Sequence, residues 1–290
     1  MFQQLGLIGC GLMGGSFALA LKRAGLVKEV VGFSPSPTTT ARALQLGVID
    51  RIASSAEQAV KGSDLVLVAV PVGATASTFE AIHPFLTSEM LVMDVGSTKV
   101  DVVDMARRAL GEHLGAFVPA HPIAGKEVAG IEHADADLYT GKQVILTPLE
   151  CTRIKPLKKA LDVWTALGCQ VVQMTPQAHD AAYAAVSHLP HLLAFAMMNT
   201  LANQAQGEQF LSLAGPGFRD FTRIAASDPK VWRDIMLSNR DEVLAQSRLF
   251  QQQLQAFDQL IESSDAAALE ALIKQASLTR AQWHMVQNKK

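Results

Sequence analysis

Two periodicities alternate through the first half of the chain. The runs "QLGLIG", "EVVGFS", "DLVLVAVP", "LVMDVG", "GAFVPA", "QVILTP" and "CQVVQM" are short, apolar and rich in β-branched residues, which predicts strands. Between them lie stretches with helical apolar spacing, Ser16 to Ala24 and Thr38 to Leu46 among them. Strands apolar on both faces and linked by helices belong in a sheet covered on both sides, so the pattern predicts an α/β, doubly wound, mostly parallel sheet. After Met174 the strand signals stop. The rest is rich in alanine, leucine and glutamine with helical periodicity, as in "RDEVLAQSRLFQQQLQAFDQLIESS", and predicts an all-α second domain. At the junction, "TPQAHD" joins a turn proline to a helix start, which sets the expected domains at 1–174 and 175–290. Apolar stripes such as "LLAFAMMNTLA" exceed what one small domain covers, so a homodimer built on the helical half is expected.

Composition narrows the classes. A chain of 290 residues, 49% hydrophobic, is long and apolar enough to bury two cores. A net charge of −2 and the lack of any run of five like charges give no general attraction for nucleic acid or anionic membranes, so neither is an expected partner. Cys10, Cys151 and Cys169 are far apart and form no C-x-x-C pair, which supports neither a disulfide framework nor a thiolate zinc site and fits a reducing cytoplasm. No apolar stretch is expected to reach the ~18 residues of a membrane span, and the first residues lack the features of a signal peptide.

Near the start, "GLIGCGLMGGSFALALKRAG" places Gly9, Gly11 and Gly14 as G-x-G-x-x-G between a strand and a helix. The first glycine permits a tight turn, the second lets a pyrophosphate approach the backbone, and the third lets helix and strand pack closely. The helix N-terminus then receives the phosphates, so a dinucleotide is the expected cofactor. Leu12 and Met13 within the loop, and Val70 and Pro71 at the end of "DLVLVAVP", complete the expected cofactor contacts. Which dinucleotide depends on the end of the second strand, where an acid would bond the ribose 2′-hydroxyl of NAD. There the sequence reads "VVGFSPSPTTTAR". Ser34, Ser36 and Thr38 offer neutral hydroxyls, no carboxylate repels a 2′-phosphate, and Arg42 is expected within reach, so NADP is favoured over NAD. The same residues also suit a loop that caps a helix.

Polar clusters follow two further strands. "DVGSTK", Asp94 to Lys99, and "AHPIAGKE", Ala120 to Glu127, would emerge at the carboxyl edge of the sheet, where ligands of such folds bind. His121 is the candidate proton acceptor, with an unperturbed pKa of ~6.5. In the helical half, His179 and His188 would point to opposite sides of a straight helix and Pro190 should kink it, which argues against a metal site made with His191. Arg219 and Arg223 are four apart, either a pair of solvated charges or an anion site, and the turn at Gly215, Pro216 and Gly217 would offer backbone donors beside them.

Taken together, "GLIGCGLMGGSFALALK", "DVGSTK", "HPIAGKE", "SHLPH" and "GFRDFTRIAASDPKVWRDI", in this order, closely resemble the prephenate and arogenate (cyclohexadienyl) dehydrogenases of tyrosine biosynthesis across essentially the whole chain. The resemblance implies a Rossmann domain followed by a helical dimerisation domain, with the active site in the cleft between them. It further implies that Ser97 bonds near the nicotinamide and orients the histidine, and that His121 bonds the ring hydroxyl of the substrate. His191 would contact the substrate's side-chain end and Arg223 its ring carboxylate, with Gly217 beside them. No chorismate mutase or regulatory domain is expected. The side-chain end separates prephenate, a keto acid, from arogenate, an amino acid; Glu127 or Asp220 could favour the latter, and the choice stays open.

Two other readings are set against this one. A β-hydroxyacid dehydrogenase would carry a G-x-x-x-K-x-x-x-N helix, which the helical half lacks. A non-catalytic NADP-binding regulator would have no need of His121 and Arg223.

Overall fold

A computed structural model describes residues 1–126 and 128–283, and the chain divides into two compact units, 1–240 and 241–290. The first unit begins with β1 (Phe2–Ile8), α1 (Leu12–Arg23), β2 (Val27–Phe33), α2 (Pro37–Gln45), β3 (Arg51–Ile52), α3 (Ala56–Val60) and β4 (Leu65–Val68). It continues with α4 (Thr75–Ile82), β5 (Leu91–Asp94), α5 (Val100–Ala109), β6 (Phe117–Val118), β7 (Ala120–Pro122), β8 (Gln143–Leu146), α6 (Ile154–Ala166) and β9 (Gln170–Gln173). Helices α7 (Pro176–Tyr183), α8 (Leu189–Ala202), α9 (Gly207–Ser212), α10 (Pro216–Thr222) and α11 (Pro229–Ser238) follow.

Six strands form a parallel sheet in the order β3-β2-β1-β4-β5-β6. Strand order reverses between β1 and β4, so their carboxyl ends diverge into the crevice where such sheets hold ligands. One face is packed by α1 and α6, with Phe17 5.0 Å from Trp164 and Trp164 5.3 Å from Tyr139 between ring centres. The other face holds Phe79 and Phe117, 5.2 Å apart. The last three strands do not extend this sheet. They form a second one, β7-β8-β9, antiparallel and then parallel. Pro119 is the cause: it has no N–H to continue a ladder, so β6 stops at Val118. The next N–H, on Ala120, goes to the Asp94 carboxylate at 3.1 Å. That turn delivers His121 to the end of the large sheet.

The helical expectation after 174 is met by α7 to α11, with Thr175 capping α7 by accepting the Ala178 N–H at 3.1 Å. Between α7 and α8 the helix does not break. A π turn spans Ala184–His188 and absorbs Pro190, whose missing N–H would otherwise leave a gap in a regular helix. The result is a helical run, Pro176–Ala202, of 27 residues with a hydropathy of 1.3 in its most apolar window. By length and composition it could cross a membrane, which corrects the expectation that no stretch is long enough: alanine, leucine and methionine outweigh the few polar residues in the average. Those polar residues, His179, Asp180 and His188, are nonetheless buried and bonded inside the protein.

In the second unit, α12 (Arg240–Glu262), whose first residue closes the first unit, leads through a turn to α13 (Ala266–Gln282). Ser264 takes a positive φ of 53°, and Asp265 caps α13 by accepting the Ala268 N–H at 3.0 Å. Leu254, Ile261, Ile273 and Leu278 are exposed in the single chain.

Candidate active site

The glycine loop gives each of its three residues a distinct job. Gly9 has φ +97°, and a Cβ there would stand 2.3 Å from the Ala69 carbonyl oxygen. A Cβ at Gly14 would stand 2.2 Å from the Gly9 oxygen and 2.9 Å from Leu7. Gly11 faces open space, with nothing within 4 Å, and begins α1 without a side-chain cap. The loop is therefore compressed where strand and helix meet and bare where an anion can reach the first helical N–H groups. A dinucleotide pyrophosphate fits this cradle.

A cavity of 580 Å³ opens from the loop. Gly9, Gly11, Leu12, Met13, Ser34, Val70, Pro71 and Ser97 all line it. Gly14 does not, because it is buried in the first turn of α1, packed against β1 and the glycine loop. Ser36 does not either: it caps α2, accepting the Thr39 N–H at 3.3 Å. Arg42 lies in the last turn of α2 rather than at its start and donates to Gln45 at 2.7 Å, so it does not serve the cavity as expected. Pro35 and Thr39 stand there instead, beside Ser34, and among the described residues no carboxylate lines that end. The opposite wall comes from α11, with Asp228, Val231, Trp232, Asp234 and Ile235.

Past Ser97 the polar residues connect into one network. The fully buried Lys99 ammonium donates to Asp94 and, at 2.8 Å, to the Ala120 carbonyl, while Asp94 accepts the N–H of Ala120 and, at 2.8 Å, of Gly96. Both backbone groups of the residue before His121 are thus clamped. Burial pulls the Lys99 ammonium below the usual lysine range, against the pull of Asp94. From α7, Asp180 accepts the backbone N–H groups of Lys99 and Val100, each at 2.8 Å, and so caps α5, whose own start has no side-chain cap. Asp180 also accepts from His179 Nδ1 at 2.7 Å, and His179 Nε2 lies 2.8 Å from His121 Nδ1.

Protons in this chain follow from the acceptor at its end. With His179 Nδ1–H donating to Asp180, a neutral His179 presents a bare Nε2, and His121 Nδ1–H must donate to it. His121 Nε2 is left as the acceptor. Burial holds His121 well below the usual histidine pKa, with the neighbouring His179, Lys99 and His188 charges acting the same way. Burial also lowers His179. Tyr183 packs over both rings, 5.0 Å from His121 and 4.6 Å from His179, and its own pKa is pushed up to about 12 by burial. His121 itself is half-buried under these rings and is not part of the cavity wall. No hydrogen bond joins it to Ser97; its orienting partner is His179.

His188 and His191 take other places. His188 Nδ1 lies 3.1 Å from the Asn239 amide, which also donates to the Asp180 carbonyl at 2.8 Å. The π turn has shifted the helical phase, so His179 and His188 do not face opposite sides as a straight helix would have them. Burial lowers His188 to about 4. His191 donates from Nδ1 to the Ser187 carbonyl at 2.9 Å and stacks on Trp232, with ring centres 3.5 Å apart. These histidines do not converge on a metal. Among the described residues the one such grouping is His83, Glu112 and His113, on turns that precede β5 and β6. Arg223, on a 3₁₀ turn (Arg223–Ala226), and Gly217 and Arg219, on α10, are exposed and lie outside the cavity wall. Glu127 lies outside the described residues.

Two family models match the chain: the prephenate dehydrogenase nucleotide-binding domain over residues 17–173 and the prephenate dehydrogenase dimerization domain over 175–275. The chain belongs to the prephenate dehydrogenase family. It is 35% identical to the prephenate dehydrogenase of Bacillus subtilis over 93% of this chain and 73% of that one. It is 32% identical to the cyclohexadienyl dehydrogenase of Zymomonas mobilis over 97% and 96%. The crystal structure of a family member from A. aeolicus, prephenate dehydrogenase in complex with hydroxyphenyl propionate and NAD+, superimposes with a TM-score of 0.91 at 36% identity, covering 97% of this chain and 98% of that one. Membership accounts for the Rossmann-like sheet, the nucleotide-binding loop and the helical second half.

Sequence reasoning about this family missed His179, Asp180, Trp232 and Asp234 as site residues. "AHD" and "VWRD" carry them, but only the fold shows that α7 reaches the start of α5 and that α11 closes the cavity.

Proposed function

We propose that the protein oxidatively decarboxylates prephenate to 4-hydroxyphenylpyruvate, or arogenate to tyrosine, with a nicotinamide dinucleotide as hydride acceptor. The observation that carries this is His121, held with a bare Nε2 at the carboxyl edge of a dinucleotide-binding sheet. Both substrates bear a hydroxyl and a hydrogen on one ring carbon and a carboxylate on the opposite carbon. Loss of that hydrogen as hydride and of CO2, with the hydroxyl proton passed to a base and returned to the phenolate oxygen as the ring aromatises, leaves a phenol, and aromatisation drives the step. When bound, the dinucleotide supplies the hydride acceptor.

The chain's own residues supply the rest. His121 Nε2 takes the hydroxyl proton. Ser97, on the cavity wall, sits against the nicotinamide. His191, kept in place by Ser187 and Trp232, meets the substrate's side-chain end, and Arg223 holds the ring carboxylate, with Gly217 a further substrate contact. With Ser34, Pro35 and Thr39 where an acid would select NAD, NADP is the favoured cofactor and NAD an accepted one. The substrate and dimerisation domain is taken as 175–290, and the working form as a homodimer in which a second copy covers the exposed apolar helical faces. Three unpaired thiols suit a reducing, cytoplasmic setting.

Steady-state kinetics with both substrates and both cofactors test this reading. Turnover of at least one dienyl acid with stoichiometric CO2 release is the expected result. Binding of NADP with no turnover of either would leave the regulator reading in its place.

A further inference from the structure

We infer that His179 and Asp180 form a positioning relay that fixes the tautomer of His121 and stabilises the imidazolium formed when it takes a proton. The inference rests on the assignment of His121 as the proton acceptor and adds the residues that make it one.

Geometry carries the argument. Asp180 is 2% exposed, and one lone pair on each of its oxygens caps α5, through the N–H groups of Lys99 and Val100. A helix cap requires nothing more of it. Yet the next residue back, His179, fully buried, places Nδ1 2.7 Å from Asp180 Oδ1 and Nε2 2.8 Å from His121 Nδ1. A buried histidine that served packing alone would be satisfied by fixed carbonyl or hydroxyl partners. Here each ring nitrogen of His179 is committed to a titratable neighbour, and the chain ends on His121 Nε2, which has no hydrogen-bond partner among the described residues. The backbone on the other side is held by Asp94 and Lys99 through Ala120. Ring orientation and proton position are therefore set by separate devices.

The consequence for the reaction is specific. In the resting state Nδ1–H of His121 points at His179, so Nε2 has no proton and can only accept. After proton uptake the positive charge on His121 lies against a neutral imidazole whose far side is bonded to a carboxylate, a polarised acceptor in a water-poor setting. No proton need leave His121 along the chain for this to work.

The test uses the full-length protein with ¹⁵N-labelled histidine, first without substrate. Wild-type His121 should show a protonated Nδ1 and a bare Nε2, and His179→Phe should show both tautomers. With substrate, His179→Phe should lower kcat by about 10²-fold with KM little changed, and His179→Gln, which restores an acceptor oxygen, should recover most of that loss. Wild-type His121 found with its proton on Nε2 would overturn the inference. So would Phe and Gln variants equally impaired, the mark of a packing role. Should His179→Phe fail to fold, His179→Gln alone decides: retained Nδ1 protonation with near-normal kcat supports the relay, and a switched tautomer with near-normal kcat refutes it. Because the tautomer is read without substrate, a wrong substrate assignment would leave that result standing.

Discussion

At the scale of single residues, the site depends on where protons sit. His121→Asn should keep a hydrogen bond and lose the acceptor, lowering kcat by roughly 10²–10⁴ with little change in KM. The pH profile carries a second expectation. The reactive form is neutral His121, and burial places its pKa well below 6.5, so kcat should hold as pH falls through 6.5 and decline only in more acid solution. A kcat profile whose acid limb centres at or above 6.5 would show that His121 is not the group titrating. The ordinary histidine pKa assumed from sequence is corrected by the fold, because no local sequence feature announces that Tyr183 and His179 will cover the ring. Cofactor choice also rests on one position. Ser34→Asp should swing the ratio of kcat/KM toward NAD by repelling a 2′-phosphate, while an unaltered enzyme that strongly prefers NAD would refute the preference argued from Ser34. Ser34 was legible because the strand-end position is fixed by the motif; Arg42 was misplaced because its distance depends on where α2 starts.

Elements explain what could be read in advance. The glycine loop was legible because its constraint is local: three positions where a side chain either strains the turn, collides, or blocks an approaching ligand. Gly14→Ala sets a Cβ 2.2 Å from the Gly9 oxygen, a backbone atom that cannot swing away. The helix must shift, so Tm should fall and the dissociation constant for the dinucleotide, by fluorescence titration, should rise at least about tenfold, equivalent to some 1.4 kcal/mol. Unchanged affinity would mean that α1 does not hold the phosphates. By contrast, the ends of the strand series were not legible. "GAFVPA" reads as one strand, and the break at Pro119 that starts a second sheet becomes clear only when the Ala120 N–H is seen to bond Asp94. Similarly, a straight-helix projection separated His179 from His188, and the π turn at Ala184–His188 removes that separation. The turn and its proline are consistent with each other, yet period counting assumes a constant pitch.

On the scale of the whole molecule, exposed apolar faces and buried histidines govern behaviour in solution. Sedimentation at micromolar concentration should give twice the 31.1 kDa chain mass, and a single-chain species would refute the dimer. Stability should depend on pH through His188, which is 1% exposed and lowered to about 4. The unfolded chain binds a proton near 6.5 and the folded one only near 4, so the stabilisation present above 6.5 is lost as pH falls between them, a loss on the order of 3 kcal/mol. Urea midpoints should drop across that interval and the slope should flatten in His188→Gln; an equal slope in both proteins would assign the effect to other groups. One contact made by Asp180 has a mechanical meaning as well. Its two oxygens pin the first turn of α5 to α7, and its own carbonyl is held by Asn239, the residue that follows α11. The pin thus ties α5 and α7 to the end of the helix that supplies one wall of the cavity. The proton acceptor is bonded to the residue next to this pin, so the contact that joins the helices is also the one that fixes the alignment on which the chemistry depends.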